Sequence, residues 1–327
     1  MSTVTRADPA TPAGSAHAAL RERRPLGDRS FQILALACGL LVLVILVLIA
    51  VSTSSQASSW FSAQGFKVFT NNWNPAANQF GALAFIYGTA ITAVIALIMA
   101  VPVSIGIALL LTEVVPYRWS RPIVYVIDLL AVVPSVVWGL WGIIVFAPWI
   151  QHIYTSIASG VKGIPVLDSL FGAPTSGASF FTAGIILAFM ITPIVTSLSR
   201  EVIATVPQIE REGAYALGAT RWEMIRGAVW PHSQGGVVGA VLLGLGRAMG
   251  ETIAVALVIG SSATITSHLF APGYNMAAVI ANQFGEATGE FRAALMGIGV
   301  LLFAFTIIIN VIARWVVERS ARKKRGA

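Results

Sequence analysis

Long, uninterrupted apolar runs constrain the fold of this sequence more than any other feature. The runs from Phe31 to about Val51 and from Phe80 to Thr112 both reach the roughly 20 residues that a helix needs to cross a bilayer. Hydrophobic residues make up 56% of the chain and charged residues 11%, which excludes an ordinary soluble globule. Because the apolar residues do not alternate with polar ones in segments of about ten residues, the pattern favours an all-α integral membrane protein over a β-barrel.

Six membrane-spanning helices are predicted along the chain. They are expected at Phe31 to about Val51, Phe80 to Thr112, Arg121 to Pro148, Ser179 to about Ser199, about Gly235 to Gly260, and about Ala293 to Val316. Residues 149–178 and 261–291 are then outer loops. Residues 1–30 are rich in Ala, Pro and Ser before a basic stretch, which predicts a disordered basic cytoplasmic tail. The spans form one transmembrane domain over residues 31–318, and a basic cytoplasmic tail follows over residues 319–327.

The basic residues decide the predicted orientation of the spans. The net charge is +7, and Lys and Arg cluster in both tails, in residues 114–121 and in residues 200–232. The basic residues predicted to lie on the opposite, outer side are Lys67, Lys162 and Arg292. Because Lys and Arg concentrate on the cytoplasmic side of membrane proteins, both termini are predicted to be cytoplasmic, with an even number of crossings. The same distribution argues against nucleic acid as a partner.

The sequence gives little support for a disulfide, a metal site or ATP hydrolysis by this chain. Cys38 is the sole cysteine, so an intrachain disulfide is impossible. The histidines lie far apart without metal-ligand spacing, so no metal site and no cofactor are predicted. No GxxxxGK[ST] phosphate-binding loop occurs, so the chain is not expected to be an enzyme that hydrolyses ATP by itself.

Residues 205–231 read as two short helices at the cytoplasmic surface. Thr205 with Gln208, and Thr220 with Glu223, fit the capping-box pattern at the start of each helix. Gly218 is expected to close the first helix in a left-handed conformation. Pro231 is expected to stop the second helix before the chain enters the membrane. The charged residues of this hairpin should face water or a partner, and they are Glu210, Arg211, Glu212, Glu223 and Arg226.

The same segment resembles the EAA loop of ABC importer permeases. The matching positions are Glu212, Gly213, Ala214, Gly218, Trp230 and Pro231. The spacing of the pattern is kept throughout, although Gly213 stands where the family has Ala, Ala228 where it has Ile, and Trp230 where it has Leu. The resemblance implies a coupling helix that docks into a groove on an ATPase subunit. The alternative is an amphipathic loop that lies at the membrane surface without a partner.

Two charged residues within the predicted fifth span need a reason, because an ionisable group at mid-bilayer costs about 2.5 to 3.5 kcal/mol on insertion scales. Arg247 and Glu251 lie four residues apart, so they are expected to stack on one helix face and neutralise each other. In one interpretation Arg247 lines a translocation path and offers its planar donor fork to an oxyanion, with Glu251 competing for that fork. In the other, they form an internal ion pair that pins the helix to a neighbour. Three roles stay open for Asp128 in the third span: a structural bond, pairing with Arg200 or Arg247, and a part in transport.

Several further stretches resemble the PstC-type permease subunits of phosphate ABC importers. They are FGALAFIYGT, AVPVSIGIALLLTE, LLAVVPSVVWGLWG and GLGRAMGETIAV, and the resemblance covers nearly everything after residue 25. It implies a type I ABC importer permease fold in the cell membrane and a role for Arg247 and Glu251 in transport of inorganic phosphate. The implied partners are a PstA-type permease in a heterodimer, two copies of a PstB-type ATPase, a PstS-type phosphate-binding protein and the lipid bilayer.

Two other functions stay open at this point. A permease for another oxyanion, such as sulfate or molybdate, would also use an arginine in its path. A channel or secondary transporter would relay ions through Arg247, Glu251 and Asp128 without ATP, although it would need no cytosolic docking helix. A purely structural scaffold would have little use for charges within the membrane.

Overall fold

A computed structural model describes residues 26–174 and 176–325 of the chain, with side chains described over residues 30–174 and 176–315. Its first helix begins at Leu26, so the last five residues of the predicted tail 1–30 are helical. Residues 1–25 of that tail lie outside the described residues, as do residues 326–327 of the predicted tail 319–327. The described residues divide into two compact units, with the boundary between Ser52 and Thr53.

The described chain is almost entirely helical. In order, its helices are α1 (Leu26–Gln64), α2 (Leu83–Leu109), α3 (Tyr117–Val132), α4 (Ser135–Trp141), α5 (Ala147–Val161), α6 (Pro165–Leu170), α7 (Phe180–Ala204), α8 (Gln208–Ala216), α9 (Arg221–Met224), α10 (Trp230–Gly250), α11 (Ile253–Val258), α12 (Met276–Gln283) and α13 (Gly289–Arg325). Single π-helical turns cover Leu110–Val114, Gly142–Phe146 and Ile225–Val229. Two short antiparallel strands, β1 (Trp73–Asn74) and β2 (Gln79–Phe80), pair Trp73 with Phe80.

Five stretches of the described chain are long and apolar enough to cross a membrane. They are Ser30–Phe69, Leu83–Val114, Ser135–Val161, Phe180–Ala204 and Gly289–Trp315. The prediction of a multi-pass, all-α membrane protein is therefore confirmed. A sixth crossing and the cytoplasmic placement of both termini stay predictions.

The predicted third span has different bounds, and part of the predicted outer loop 149–178 is helical. Pro134 separates α3 from α4, since proline cannot donate a backbone hydrogen bond to the preceding turn. The apolar helix then continues through the π-helical turn and α5 to Val161, well past the predicted end at Pro148. Pro148 lies within this continuous helix, just after the π-helical turn Gly142–Phe146, whose wider backbone spacing makes room for the proline ring.

The predicted fifth span is a broken helix. α10 ends at Gly250, Glu251 has an extended backbone (φ −69°, ψ 126°), and α11 begins at Ile253. The glycines and the arginine of α10 make it less apolar than the five stretches above. In membrane proteins, interrupted helices occur where the freed backbone is buried in protein or lines a cavity.

Pro231 does not end the second hairpin helix. α9, the π-helical turn Ile225–Val229 and α10 follow one another without a break. In a regular helix the proline ring would clash with the carbonyl four residues earlier. A π-helical turn directly before Pro231 widens the backbone spacing and makes room for the ring. The hairpin is therefore joined to α10 by continuous helix.

Helix α7 forms the centre of the packed core. Its residues Ile186, Leu187 and Ile191 are fully buried, and it packs along α2, α3 and α10. Two glycines allow α10 to approach it closely. A Cβ atom on Gly236 would lie 2.5 Å from Val202, and one on Gly244 would lie 2.6 Å from Val195. These contacts agree with the expectation that small residues on this span serve a packed interface.

Candidate functional site

The hairpin α8–α9 is built around the conformation of Gly218. This residue has φ +83°, the left-handed region that disfavours side chains with a Cβ atom. Its N–H donates to the carbonyl of Tyr215 at 2.9 Å, and the N–H of Ala219 donates to the carbonyl of Ala214 at 3.1 Å. These bonds satisfy carbonyls at the end of α8, as in a glycine-terminated helix. The prediction that Gly218 closes the first hairpin helix is confirmed.

The second hairpin helix begins with the predicted capping box. The carboxylate of Glu223 accepts hydrogen bonds from the Thr220 N–H at 2.8 Å and from the Thr220 hydroxyl at 2.7 Å. Both bonds lower the pKa of Glu223 below its ordinary value, and the bond from the backbone N–H has the larger effect. The first helix has no such cap. The hydroxyl of Thr205 donates to the carbonyl of Val202, and Pro207 precedes α8, so the predicted Thr205–Gln208 box is wrong.

The outer surface of the hairpin is unusually apolar for a loop between membrane segments. Ile209 is 76% exposed, Leu217 91% and Trp222 66%. Glu212 and Gly213 are exposed beside them, whereas Ala214 is half-buried and packs against the apolar cluster around Ile203. Several large, exposed apolar side chains on one hairpin are characteristic of an interaction surface.

One arginine of the hairpin turns inward and not toward water. Arg211 donates through Nη2 to the carboxylate of Glu113 at 2.9 Å, and the two side chains are only 15% and 5% exposed. It also donates to the carbonyls of Val206 at 2.6 Å and Ile203 at 3.0 Å. The expectation that Arg211 faces solvent is therefore wrong. Its fork satisfies carbonyls left open at the end of α7 and ties α8 to Glu113, which follows α2. We name this arrangement the Arg211–Glu113 clamp.

A groove of about 1100 Å³ lies along α10 and contains Arg247. Its lining comes from α7, α10 and α13 and consists of Ile194, Gly235, Val238, Gly239, Leu242, Leu243, Gly246, Arg247, Ile307, Asn310, Val311 and Arg314. The glycines of α10 thus serve two faces of the helix. Gly235, Gly239 and Gly246 leave open space in the groove, whereas Gly236 and Gly244 contact α7. The guanidinium of Arg247 is exposed to this groove and makes no hydrogen bond or ion pair within the described chain.

Arg247 and Glu251 do not form the predicted stacked pair. Because α10 ends at Gly250, Glu251 no longer follows Arg247 by one helical turn. The buried carboxylate of Glu251 instead accepts from the N–H of Ala254 at 3.4 Å, at the start of α11. The ion pairs of the described side chains are Arg211–Glu113 and His232–Glu210. Glu251 therefore does not compete for the Arg247 fork in this conformation.

Three further polar residues take positions that the sequence did not reveal. Asp128 accepts a hydrogen bond from the Ser197 hydroxyl at 3.2 Å, which joins α3 to α7. This is the structural bond that the sequence left open, and neither Arg200 nor Arg247 is its partner. Asn310 and Arg314 line the same groove as Arg247. No sequence signal separates Arg314 from the basic residues expected at the end of a span.

Residues 100–326 match the family model described as the binding-protein-dependent transport system inner membrane component. The chain belongs to this family. The family consists of transport components, so this permease is a membrane-embedded part of a transport system.

Curated relatives extend the similarity over the whole permease. The phosphate transport system permease protein PstC of Mesorhizobium japonicum is 43% identical over 322 residues, which cover 98% of both chains. The protein of the same name from Xylella fastidiosa strain Temecula1 is 43% identical over 99% of both chains. PstC 1 of Mycobacterium tuberculosis is 41% identical over 76% of this permease and 75% of its own length.

Solved structures show that the permease shares the fold of ABC transporter membrane chains. The inward-facing MetNI methionine ABC transporter aligns with a TM-score of 0.52 at 13% identity, over 77% of this permease and 99% of that chain. A bacterial ABC transporter that imports the acidic polysaccharide alginate aligns with a TM-score of 0.52 at 15% identity, over 89% and 99%. At these identities the likeness concerns the fold alone.

Proposed function

We propose that this permease is the PstC-type subunit of an ATP-driven phosphate importer. The observation that carries the proposal is the 43% identity, over 98% of both chains, to a protein named for phosphate transport. Arg247 supplies the chemistry that a phosphate path requires, because a guanidinium offers paired donors to an oxyanion. Its exposure to an otherwise largely apolar groove supports this role.

The hairpin α8–α9 is the proposed contact with the ATPase. Its exposed Ile209, Leu217 and Trp222 supply the apolar surface that a docking helix needs. Within the EAA-type pattern, Glu212 and Gly213 are exposed, Ala214 seats α8 on the core, and Gly218 sets the turn. Pro231 lies within the continuous helix that leads from the hairpin to Arg247, so a push on the hairpin is transmitted to α10 as a rigid body.

The remaining parts of the proposed machine are separate subunits. Two PstB-type ATPases hydrolyse ATP below the hairpin, a PstA-type permease completes the path as a heterodimer, and a PstS-type binding protein delivers phosphate from outside. The permease itself lies in the cytoplasmic membrane as a type I importer subunit with six crossings and both termini inside. The sixth crossing is the broken helix α10–α11.

The decisive experiment is uptake by the complete complex reconstituted in proteoliposomes. Import of labelled phosphate should require ATP and the binding protein, and excess sulfate or molybdate should not compete. Competition by sulfate or molybdate would favour a permease for another oxyanion. Uptake driven by an ion gradient in liposomes without any ATPase subunit would favour a secondary transporter and would overturn the proposal.

A further inference from the structure

Helix α13 presents a polar face to the groove that Arg247 occupies. Its groove-lining residues are Ile307, Asn310, Val311 and Arg314, which are spaced three and four residues apart and therefore lie on one side of the helix. Asn310 and Arg314 are the polar members of this side, one helical turn apart. Both are thus aimed at the same cavity as the guanidinium of α10.

Neither polar side chain is satisfied within the described chain. Asn310 and Arg314 make no hydrogen bond or ion pair among the described residues, and the same holds for Arg247. Polar and charged groups in membrane helices are costly, and they usually face a polar cavity or a functional partner. These three groups line one groove of about 1100 Å³, and a shared polar occupant would satisfy all of them.

The chemistry of the lining specifies the charge of that occupant. The two guanidinium groups are pure donors, and the Asn310 amide adds two more N–H donors. Among the side chains that the structure describes, no carboxylate lines the groove, and Glu251 is held away at the start of α11. A donor-rich, cationic site of this kind suits a small oxyanion, and bidentate Arg contacts are a common way of binding phosphate.

We propose that Asn310 and Arg314 form a second set of phosphate contacts in the groove, on the helix that faces Arg247. The anion leaving Arg247 is received by these two residues before it is released. The proposal rests on the proposed function for the identity of the anion. It assigns to α13 a part in the translocation path, beyond anchoring the end of a membrane helix.

The first test measures ATP-driven phosphate uptake by the complete complex carrying Arg314→Gln or Asn310→Asp. We expect the maximal rate to fall about tenfold in Arg314→Gln, the size that follows from losing a hydrogen bond to a charged group, and at least as far in Asn310→Asp, whose carboxylate also repels the anion. The phosphate concentration at half-maximal rate should stay unchanged, because capture from outside belongs to the binding protein. Rates within twofold of wild type in both variants would overturn the proposal.

A second test separates an anion contact from a topology anchor. In a chain carrying Cys38→Ser and Arg314→Cys, an ammonium-bearing thiosulfonate should restore part of the lost uptake, because it returns the positive charge without the planar fork, and a neutral methyl thiosulfonate should restore none. Inorganic phosphate should slow labelling of this cysteine more than chloride at equal ionic strength. The matched control is Ile308→Cys, an exposed position on α13 outside the groove lining, where phosphate should have no effect. Equal effects of the two reagents, or equal protection at both positions, would contradict a phosphate contact.

Assembly is checked by co-purification of the Arg314→Gln and Asn310→Asp chains with their partner subunits. If co-purification is lost, these side chains hold the assembly together, and the proposal is overturned. Failure of the proposed function is distinguishable, because it would appear in the wild-type complex as absent ATP-dependent phosphate uptake. Failure of this inference would appear only in the variants, against an active wild type.

Discussion

At the scale of single residues, the proposed phosphate contact rests on the position of Arg247. Its guanidinium is exposed to the groove, and the breaking of the helix after Gly250 removes Glu251 as its partner. The proposed crossing by α10–α11 puts Arg247 within the membrane, where a cation without an internal partner is costly, and this favours transport over a structural ion pair as its role.

We expect Arg247→Ala to reduce phosphate uptake at least tenfold, because it removes a charged hydrogen-bonding group from the path. Arg247→Lys should also impair uptake, since a point charge does not reproduce the planar fork. The measurement is ATP-driven uptake by the assembled complex, with co-purification of the partner subunits as the control for folding. Full-rate uptake by an assembled Arg247→Ala complex would reduce Arg247 to a structural residue.

Gly218 is a second residue whose role follows from its backbone. At φ +83°, a residue with a Cβ atom is strained by about 1 to 2 kcal/mol. Because space around it is open, Gly218→Ala should act through this strain and not through a clash. We expect less phosphate imported per ATP hydrolysed, with partly preserved assembly. Gly213→Ala, on the same hairpin at a position with equally open space, is the matched control and should couple normally.

At the scale of elements, the Arg211–Glu113 clamp fixes the hairpin to the ends of α2 and α7. Glu113→Ala should destabilise this region by about 3 to 5 kcal/mol, because it leaves a buried guanidinium without its counter-ion. Adding Arg211→Met should recover only part of the loss, because it removes the unpaired charge but leaves the carbonyls of Val206 and Ile203 without their donor. Thermal unfolding of the purified permease in detergent measures both changes.

A matched control for the clamp is Glu210→Ala, which breaks the half-exposed contact with His232 at 3.2 Å. Exposed ion pairs contribute at most about 1 kcal/mol, so its effect on thermal unfolding should be small. Equal destabilisation by Glu113→Ala and Glu210→Ala would contradict the buried character of the clamp.

The capping box at the start of α9 predicts a pH dependence of hairpin stability. The Thr220 bonds lower the pKa of Glu223 in the folded state, so the unfolded state binds a proton more readily on acidification. The stabilisation is therefore complete above the ordinary carboxyl pKa and is lost as the pH falls through the lower folded pKa. Glu223→Gln should flatten the decrease in melting temperature between about pH 6 and about pH 3. The control is Glu212→Gln, which removes an exposed carboxylate from the same hairpin. In this variant the melting temperature should fall with decreasing pH as it does in the wild type.

The sequence predicted elements with strong local signals and missed those set by tertiary contacts. The apolar runs, the turn at Gly218 and the box at Thr220 and Glu223 depend on neighbouring residues, and the structure contains them. The break at Glu251 and the π-helical turn before Pro231 depend on how packed helices accommodate a carboxylate and a proline ring. The clamp was equally hidden, because Glu113 and Arg211 are distant in sequence and join only when α8 folds back.

At the scale of the whole molecule, the hairpin has two connections to the membrane domain. The continuous helix α9–α10 links it to Arg247, and the clamp links it to α2 and α7, which pack along each other. A force applied at Leu217 and Trp222 would therefore move α2, α7 and α10 together. Rigid-body motion of this kind is an established means of opening a cavity between packed helices.

This connection requires the hairpin to lie on one side of the membrane and the end of α5 on the other. α7 has 25 residues, about 37 Å at 1.5 Å per residue, which is enough to cross a bilayer core of about 30 Å. The test places Leu217→Cys or Lys162→Cys in a Cys38→Ser chain within sealed vesicles and adds a membrane-impermeant thiol reagent. In inside-out vesicles the reagent should label Leu217→Cys and leave Lys162→Cys unlabelled. Right-side-out vesicles should give the reverse. A reporter fused after Ala327 should be accessible together with residue 217, because the crossing by α10–α11 brings the chain out and α13 returns it. Labelling of residues 162 and 217 from the same side would contradict both the topology and a cytoplasmic ATPase contact. A reporter on the opposite side from residue 217 would show that α10–α11 does not cross.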